Sequence, residues 1–272
     1  MGRAWATMNE TIPIYIGTSA GGEDAESQAV AEYTLRKYAS QPIDITWLTL
    51  SKDPSSFWYG WNTKNWGTPF SGLRWGIPAF RNFEGKVIYL DGDIICRADI
   101  VELWNQTIPK GAIALVNGVG KELRTCIMLL DCARARKHLP PIEVLRSTYK
   151  QYEVMISVLR KRPYMSAVFN SMWNCVDLKM STGINDPRVK LIHYSSQWEQ
   201  PHLPHAQARL AAQGRKHWFD GPTTSHREPQ LTALFDELLI EAINAGYSPE
   251  KYEPEKPFGP YHIRSYANRY IT

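Results

Sequence analysis

Apolar residues come in short runs through the first half of the chain, each closed by a glycine, a proline or an acid. Ile12–Gly17 (IPIYIG) reads as a buried strand ending in glycine. After a polar loop over 18–24, Val30, Ala31, Thr34, Leu35 and Tyr38 fall at i, i+1, i+4, i+5 and i+8, which is one apolar helical face. A β-rich run, Ile43 to Leu50, follows Pro42. Strand, helix and strand in this order make a βαβ unit, whose parallel strands require helices packed on the sheet.

Further on, residues 51–69 form a loop crowded with aromatics (Phe57, Trp58, Tyr59, Trp61, Trp66), placed to border a ligand cleft or to pack. Phe70 to Phe80 reads as a helix stopping near Pro78. Lys86 to Leu90 (KVIYL) is a buried strand that runs straight into Asp91-Gly92-Asp93. Ala112 to Val116 and Cys126 to Leu130 read as strands, 141–162 as helix, and Val189 to Tyr194 as a last strand. Leu231, Leu234, Phe235, Leu238, Leu239 and Ala242 then mark an amphipathic helix, stopped by Gly246 and Pro249. The proline- and charge-rich stretch 249–260 should be extended. The chain has no internal repeat and no low-complexity block.

Composition narrows the functional classes. With 43% hydrophobic residues the chain is an ordinary globular one. Its net charge of +4 suits an anionic ligand such as a nucleotide diphosphate and is too weak, alone, to argue for nucleic acid. Cys96, Cys126, Cys132 and Cys175 lack zinc-site spacing and read as thiols of a reducing compartment. The start, MGRAWATMNETIP, has no apolar signal core, and no run approaches the ~18 apolar residues of a membrane span. The expectation is a soluble, cytoplasmic protein. Phosphate-loop and dinucleotide glycine fingerprints are absent from the sequence, as is a local nucleophile–histidine signature.

Asp91 and Asp93 are costly neighbours unless a cation neutralises them. Side chains two residues apart in extended chain point the same way, so both can face one ion. Oxygen ligands favour Mn²⁺ or Mg²⁺. Ligands of open α/β sheets gather at the carboxyl ends of strands, where this pair lies.

The stretch Phe70 to Trp104, FSGLRWGIPAFRNFEGKVIYLDGDIICRADIVELW, resembles family 8-type and related GT-A glycosyltransferases, in which a DxD motif holds the metal. Arg74, 17 residues before Asp91, stands where that family places an arginine on the donor phosphates. IYIGTSAGGEDAE is similar to the family's first strand and nucleotide loop, with Thr18 and Ser19 where an aspartate often contacts base or ribose. LIHYSSQWEQPHLPH resembles the segment whose histidine completes the metal site, so His193 takes that role by resemblance, and Gln200-Pro201 resembles a variant of the motif. The lysine common there is missing. His202 and His205 read as loop residues, and Trp173-Asn174 as part of a stretch near the acceptor side or of the core. The likeness covers roughly residues 12–205.

What the resemblance implies is an α/β, GT-A (Rossmann-like) mixed sheet flanked by helices, with a transferase domain over 1–205 and a C-terminal helix and extended tail over 206–272. It also implies a metal-dependent, retaining glycosyltransferase. The donor is a nucleotide-diphosphate sugar, a UDP-sugar foremost, and the acceptor bears a hydroxyl. Asp91, Asp93 and His193 would hold Mn²⁺ or Mg²⁺, with Arg74 acting beside them and Thr18, Ser19, Arg74 and Gly92 contacting the nucleotide. Two alternatives stay open: a sugar transferase acting on a hydroxylated DNA base, suggested by the basic stretch 209–227, and a non-catalytic nucleotide-sugar-binding protein.

Overall fold

In a computed structural model the described residues are 11–119, 122–161, 166–168, 171–177 and 183–267. Most of the N-terminal stretch read for a signal core, and residue 162 at the end of the expected 141–162 helix, lie outside them.

Strand β1 (Ile12–Gly17), helix α1 (Ala25–Tyr38) and strand β2 (Ile43–Leu48) form the expected unit, with β1 and β2 parallel from Ile12↔Ile43 to Gly17↔Leu48. β3 (Lys86–Asp91) joins the other side of β1 in parallel and brings Asp91 level with Gly17. β5 (Ala114–Val119), β6 (Glu122–Asp131) and β7 (Ser166–Val168) extend the sheet in the order β2-β1-β3-β6-β5-β7, with β6 antiparallel to both neighbours. The sheet is therefore mixed, and the start of β6 lies at the same edge as the carboxyl ends of β1 and β3. Its inner strands are apolar on both faces: Ile14, Ile16, Ile88 and Leu90 pack in one layer, and Tyr15, Val87 and Tyr89 in the other.

A second, small sheet explains how distant residues meet. β4 (Ile94–Cys96) leaves the acidic pair and is flanked by α3 (Val101–Trp104). It pairs antiparallel with β9 (Leu191–His193) in the register Ile94↔His193, and β8 (Cys175–Val176) lies on the other side of β9. The Tyr194 N–H also donates to the Asp93 carbonyl at 2.9 Å. Positions 93 and 193 become neighbours through this ladder.

Several sequence expectations are corrected. The 70–80 segment is a 3₁₀ turn, Leu73–Gly76, followed by the short α2 (Ile77–Phe80); Pro78 opens α2 instead of stopping a helix, since a first-turn N–H has no helical partner to lose. The long helix at 141–161 is two, α5 (Ile142–Ser147) and α6 (Gln151–Lys161), after the short α4 (Cys132–Ala135). α7 (Leu203–Ala212) falls where a loop was expected: His205 lies on it and His202 caps its start. The stretch 249–260 begins with a 3₁₀ turn, Pro249–Tyr252, before it extends. The amphipathic helix is α8 (Pro229–Asn244); its Leu231, Phe235, Leu238 and Leu239 pack with Ala29 and Val30 of α1. No helix among the described residues is long and apolar enough to cross a membrane.

Candidate functional site

The end of β3 gathers hydrogen-bond donors on Asp91. Tyr89 and Asp91 share a strand face, and the Tyr89 hydroxyl donates to Asp91 Oδ1 at 2.6 Å. Arg74 Nη2 donates to the same oxygen at 2.8 Å, while its Nε and Nη1 go to the Ser71 and Thr125 carbonyls. Three directions of the guanidinium are thus committed to the protein, and it also stacks over the Tyr89 ring, 4.6 Å from its centre. Burial pushes the Asp91 carboxyl above its usual range; Arg74 opposes this, and Asp93 adds to the push. Burial also holds the Tyr89 phenol well above its ordinary range, so it stays a donor.

Glycine at 92 has a steric reason. A Cβ there would stand 2.9 Å from the Gly17 carbonyl, where β1 and β3 end side by side. Its own carbonyl accepts from Ser27 Oγ at 2.6 Å, tying the motif to α1.

Asp93 and His193 meet. Gln200 Nε2 donates to Asp93 Oδ2 at 2.6 Å, and His193 Nε2 stands 3.2 Å from Asp93 Oδ1, a buried oxygen that has no aligned hydrogen-bond donor. The other imidazole nitrogen, Nδ1, lies 3.0 Å from Asn174 Oδ1, and the Asn174 amide donates to Cys126 Sγ at 3.1 Å. Burial acts to depress the His193 pKa, but the Cys126 sulfur and the Asp93 carboxylate outweigh it and hold it well above the usual value. A proton on Nε2 there faces Asp93, as a cation would. The ligand atoms of Asp91, Cys126 and His193 lie within 4.8 Å of one another. Cys126 is presented by an irregularity in β6: Val116 pairs with Met128 but Asn117 pairs with Arg124, so 125–127 have no partner on β5.

These groups face a cavity of about 620 Å³ whose walls come from the 65–74 loop, the start of β6, Tyr149 and Glu153, Ser195 and Gln197, and Arg264 of the C-terminal segment. The aromatic loop divides its labour: Trp66 lines the cavity, while Phe57 and Trp58 pack on each other and on Phe80, and Trp61 packs between Trp58 and Trp66.

Thr18 and Ser19 sit differently. Both are buried, under a strap of C-terminal residues. Tyr261 accepts from the Ala20 and Gly21 N–H groups at 2.8 and 2.9 Å. Trp218 Nε1 donates to Asp24 Oδ1 at 3.0 Å, and His217 Nε2 lies 3.2 Å from the same oxygen. His202 Nε2 is 3.7 Å away, a buried nitrogen with no hydrogen-bond partner among the described residues. Burial opposes the Asp24 charge, but the imidazoles of His202 and His217 beside it overcome this and hold its pKa far below the usual range. Thr18, Gly92, Asp93, His202 and Trp218 enclose a small space of about 10 Å³, room for about one water. Thr18 Oγ1 has no hydrogen-bond partner among the described residues.

Tyr89, Cys126 and Asn174 were not assigned to the site from the sequence. Alternation from Asp91 could have found Tyr89; no spacing signals the other two. In the basic stretch 209–227 the arginines are internally engaged: Arg209 with Glu26 and Glu253, Arg215 with the Gly21 carbonyl, and Arg227 with Glu199.

The mixed sheet flanked by helices is the GT-A fold of glycosyltransferases. No protein-family profile matches the sequence, and no curated protein matches it either. Among solved structures the chain is similar to the glycosyltransferase GlyE of Streptococcus pneumoniae TIGR4, with TM-score 0.55 and 14% identity, covering 88% of this chain and 64% of that one. The chain thus spans just under two thirds of the length of GlyE. It is also similar to the galactosyltransferase LgtC in complex with donor and acceptor sugar analogs, with TM-score 0.56 and 12% identity over 85% of this chain and 96% of that one. An active-site mutant of LgtC gives TM-score 0.57 at 14% identity with the same coverage.

Proposed function

We propose that the chain is a metal-dependent glycosyltransferase that moves a sugar from a nucleotide-diphosphate sugar, a UDP-sugar foremost, to a hydroxyl acceptor with retention. The observation carrying this reading is the meeting of Asp91, Asp93 and His193 at one wall of a large cavity on a GT-A fold. The donor set fits Mn²⁺ or Mg²⁺: two carboxylates and an imidazole, with Asp93 Oδ1 buried and undonated beside His193 Nε2. When bound, such an ion supplies positive charge for the departing diphosphate. Around it, Asn174 fixes the His193 ring, Gln200 occupies the second Asp93 oxygen, and Tyr89 and Arg74 both donate to Asp91 Oδ1. Arg74 lines the same cavity and presents its charge to the donor phosphates from beside Asp91. Gly92 lets the loop after β1 approach the motif, and Thr18 and Ser19 on that loop contact the nucleotide.

Residues 1–205 carry the transferase unit and 206–272 pack on it, in a cytoplasmic protein. The DNA-base reading loses its main support, since the arginines of 209–227 are engaged within the chain. A non-catalytic binding protein is separated by turnover. The test is donor consumption from a panel of nucleotide-sugars with Mn²⁺ or with chelator, in the wild type and in Asp93→Asn. A folded Asp93→Asn protein should lose activity by about a hundredfold or more, the effect of removing several kcal/mol of charge stabilisation. Equal turnover in both proteins, or none in the wild type with any donor, would reject the proposal.

A further inference from the structure

Arg124 and Arg264 differ from the other described arginines. Each of the others whose side chain is described has a carboxylate, a backbone carbonyl, a phenol oxygen or an aromatic ring as side-chain partner. Arg124 and Arg264 have no such partner among the described residues, and both line the cavity that holds Asp91 and Asp93. Arg124 is half-buried, two residues before Cys126 at the start of β6. A guanidinium that lines a cavity without a protein partner keeps its N–H donors open to an anion entering there. Arg264 is brought in from the other side. Its backbone N–H donates to the Trp66 carbonyl at 3.0 Å, and Tyr266 Oη donates to the Gly67 carbonyl at 2.7 Å, which pins this part of the C-terminal segment along the 65–72 loop.

The cavity's own carboxylates leave these cations unanswered. Asp91 is paired with Arg74, and Asp93 is held by Gln200 and faces His193. Glu153 is the other carboxylate among the described lining residues, and it too leaves both arginines without a partner there. Arg74 itself is committed to Asp91 and two carbonyls.

We infer that Arg124 and Arg264 form an oxyanion subsite in this cavity, taking a phosphate or carboxylate group of a substrate through the forked N–H groups that suit such anions. Which substrate supplies the anion rests on the transferase reading: it is the donor's diphosphate or an acidic group on the acceptor. The subsite itself does not depend on that reading.

The first probe is inorganic pyrophosphate, without metal or nucleotide, titrated calorimetrically into wild type, Arg124→Gln, Arg264→Gln and the double variant. The double variant should bind at least tenfold more weakly, each single variant should fall between, and Arg124→Lys should recover part of the loss. Arg124→Gln should melt no lower than wild type, because the charge it removes has no partner in the fold. Pyrophosphate binding that is absent in wild type, or unchanged in the double variant, overturns the inference. A second titration, UDP with Mn²⁺, locates the source. A loss of at least tenfold in the double variant assigns the subsite to the donor diphosphate. Unchanged UDP affinity, with inorganic phosphate binding to UDP-loaded wild type but not to the UDP-loaded double variant, assigns it to the acceptor. If UDP binds none of the proteins while pyrophosphate binding still depends on the arginines, the subsite stands and the nucleotide-sugar reading falls.

Discussion

Asn174 is the place where a small change separates positioning from direct ligation. Its Oδ1 accepts from His193 Nδ1, its amide donates to Cys126, and its own carbonyl accepts from Asn117, all in a residue 1% exposed. Replacing it by alanine leaves the backbone contact and removes both side-chain contacts, so the imidazole loses the partner that fixes its rotation and tautomer. Loss of such an outer partner costs about ten- to hundredfold in metal affinity, or ~1.4–2.8 kcal/mol. Stability should fall as well, by ~1–3 kcal/mol, because a buried N–H and a sulfur lose their partners. Asn174→Asp makes the contrast: its carboxylate still accepts from Nδ1–H but offers Cys126 no amide. Calorimetric titration with Mn²⁺ should therefore rank wild type and Asn174→Asp together, with Asn174→Ala well below. Equal Mn²⁺ affinity in wild type and alanine variant would refute the argument, as would an aspartate variant as weak as alanine.

Two further outcomes follow from the same contacts. Arg74→Ala should weaken UDP binding in the presence of Mn²⁺, and Arg74→Lys should restore it only in part, since lysine cannot serve Asp91, Thr125 and Ser71 at once; unchanged UDP affinity in the alanine variant would remove Arg74 from the donor site. Asp24, whose folded pKa is depressed, contributes stability that is present above its unfolded value of 3.8 and is lost as pH falls below it. Melting temperature measured from pH 7 to pH 3 should drop less steeply in Asp24→Asn than in wild type, and superimposable slopes would show that the His202–His217–Trp218 cage does not tune it.

The legible parts of the fold were those where burial writes itself into composition. β1 and β3 are inner strands, so their runs are apolar on both faces and end where the chain turns to the site. α8 announces itself because one face is buried and the other wet. α7 was missed because Pro204, His202 and His205 give its first turn the look of a loop, although a proline at the start of a helix costs nothing. Pro78 misled for the same reason. The acidic pair was legible as a place, since carboxylates two residues apart at a strand end turn the same way, and both line the cavity. The residues around them were not, because the hydrogen bond from His193 Nδ1 to Asn174 Oδ1 depends on the register of a three-residue strand, and no local pattern encodes that register.

The C-terminal segment bears on whether residues 1–205 can stand alone. Leu231, Phe235, Leu238 and Leu239 of α8 are at most 7% exposed, and they cover Ala29 and Val30 of the helix that follows the first strand. Tyr194, next to His193, is buried in the same layer and donates its hydroxyl to the Leu231 carbonyl at 3.0 Å. Burying four such side chains contributes ~1.5–3 kcal/mol each, or ~6–12 kcal/mol together. That is comparable to the whole ~5–15 kcal/mol by which a domain is stable. Removing 206–272 would also strip Trp218 and His217 from Asp24, and Tyr261 from the loop after β1. A chain of residues 1–205 should accordingly express as an insoluble or molten product, without a cooperative thermal transition and without detectable Mn²⁺ binding. The measurements are far-ultraviolet dichroism through a melt, size-exclusion elution and metal titration. A soluble, monomeric 1–205 fragment that melts cooperatively would refute this, because the apolar face of α1 would then have to be stable in water without α8.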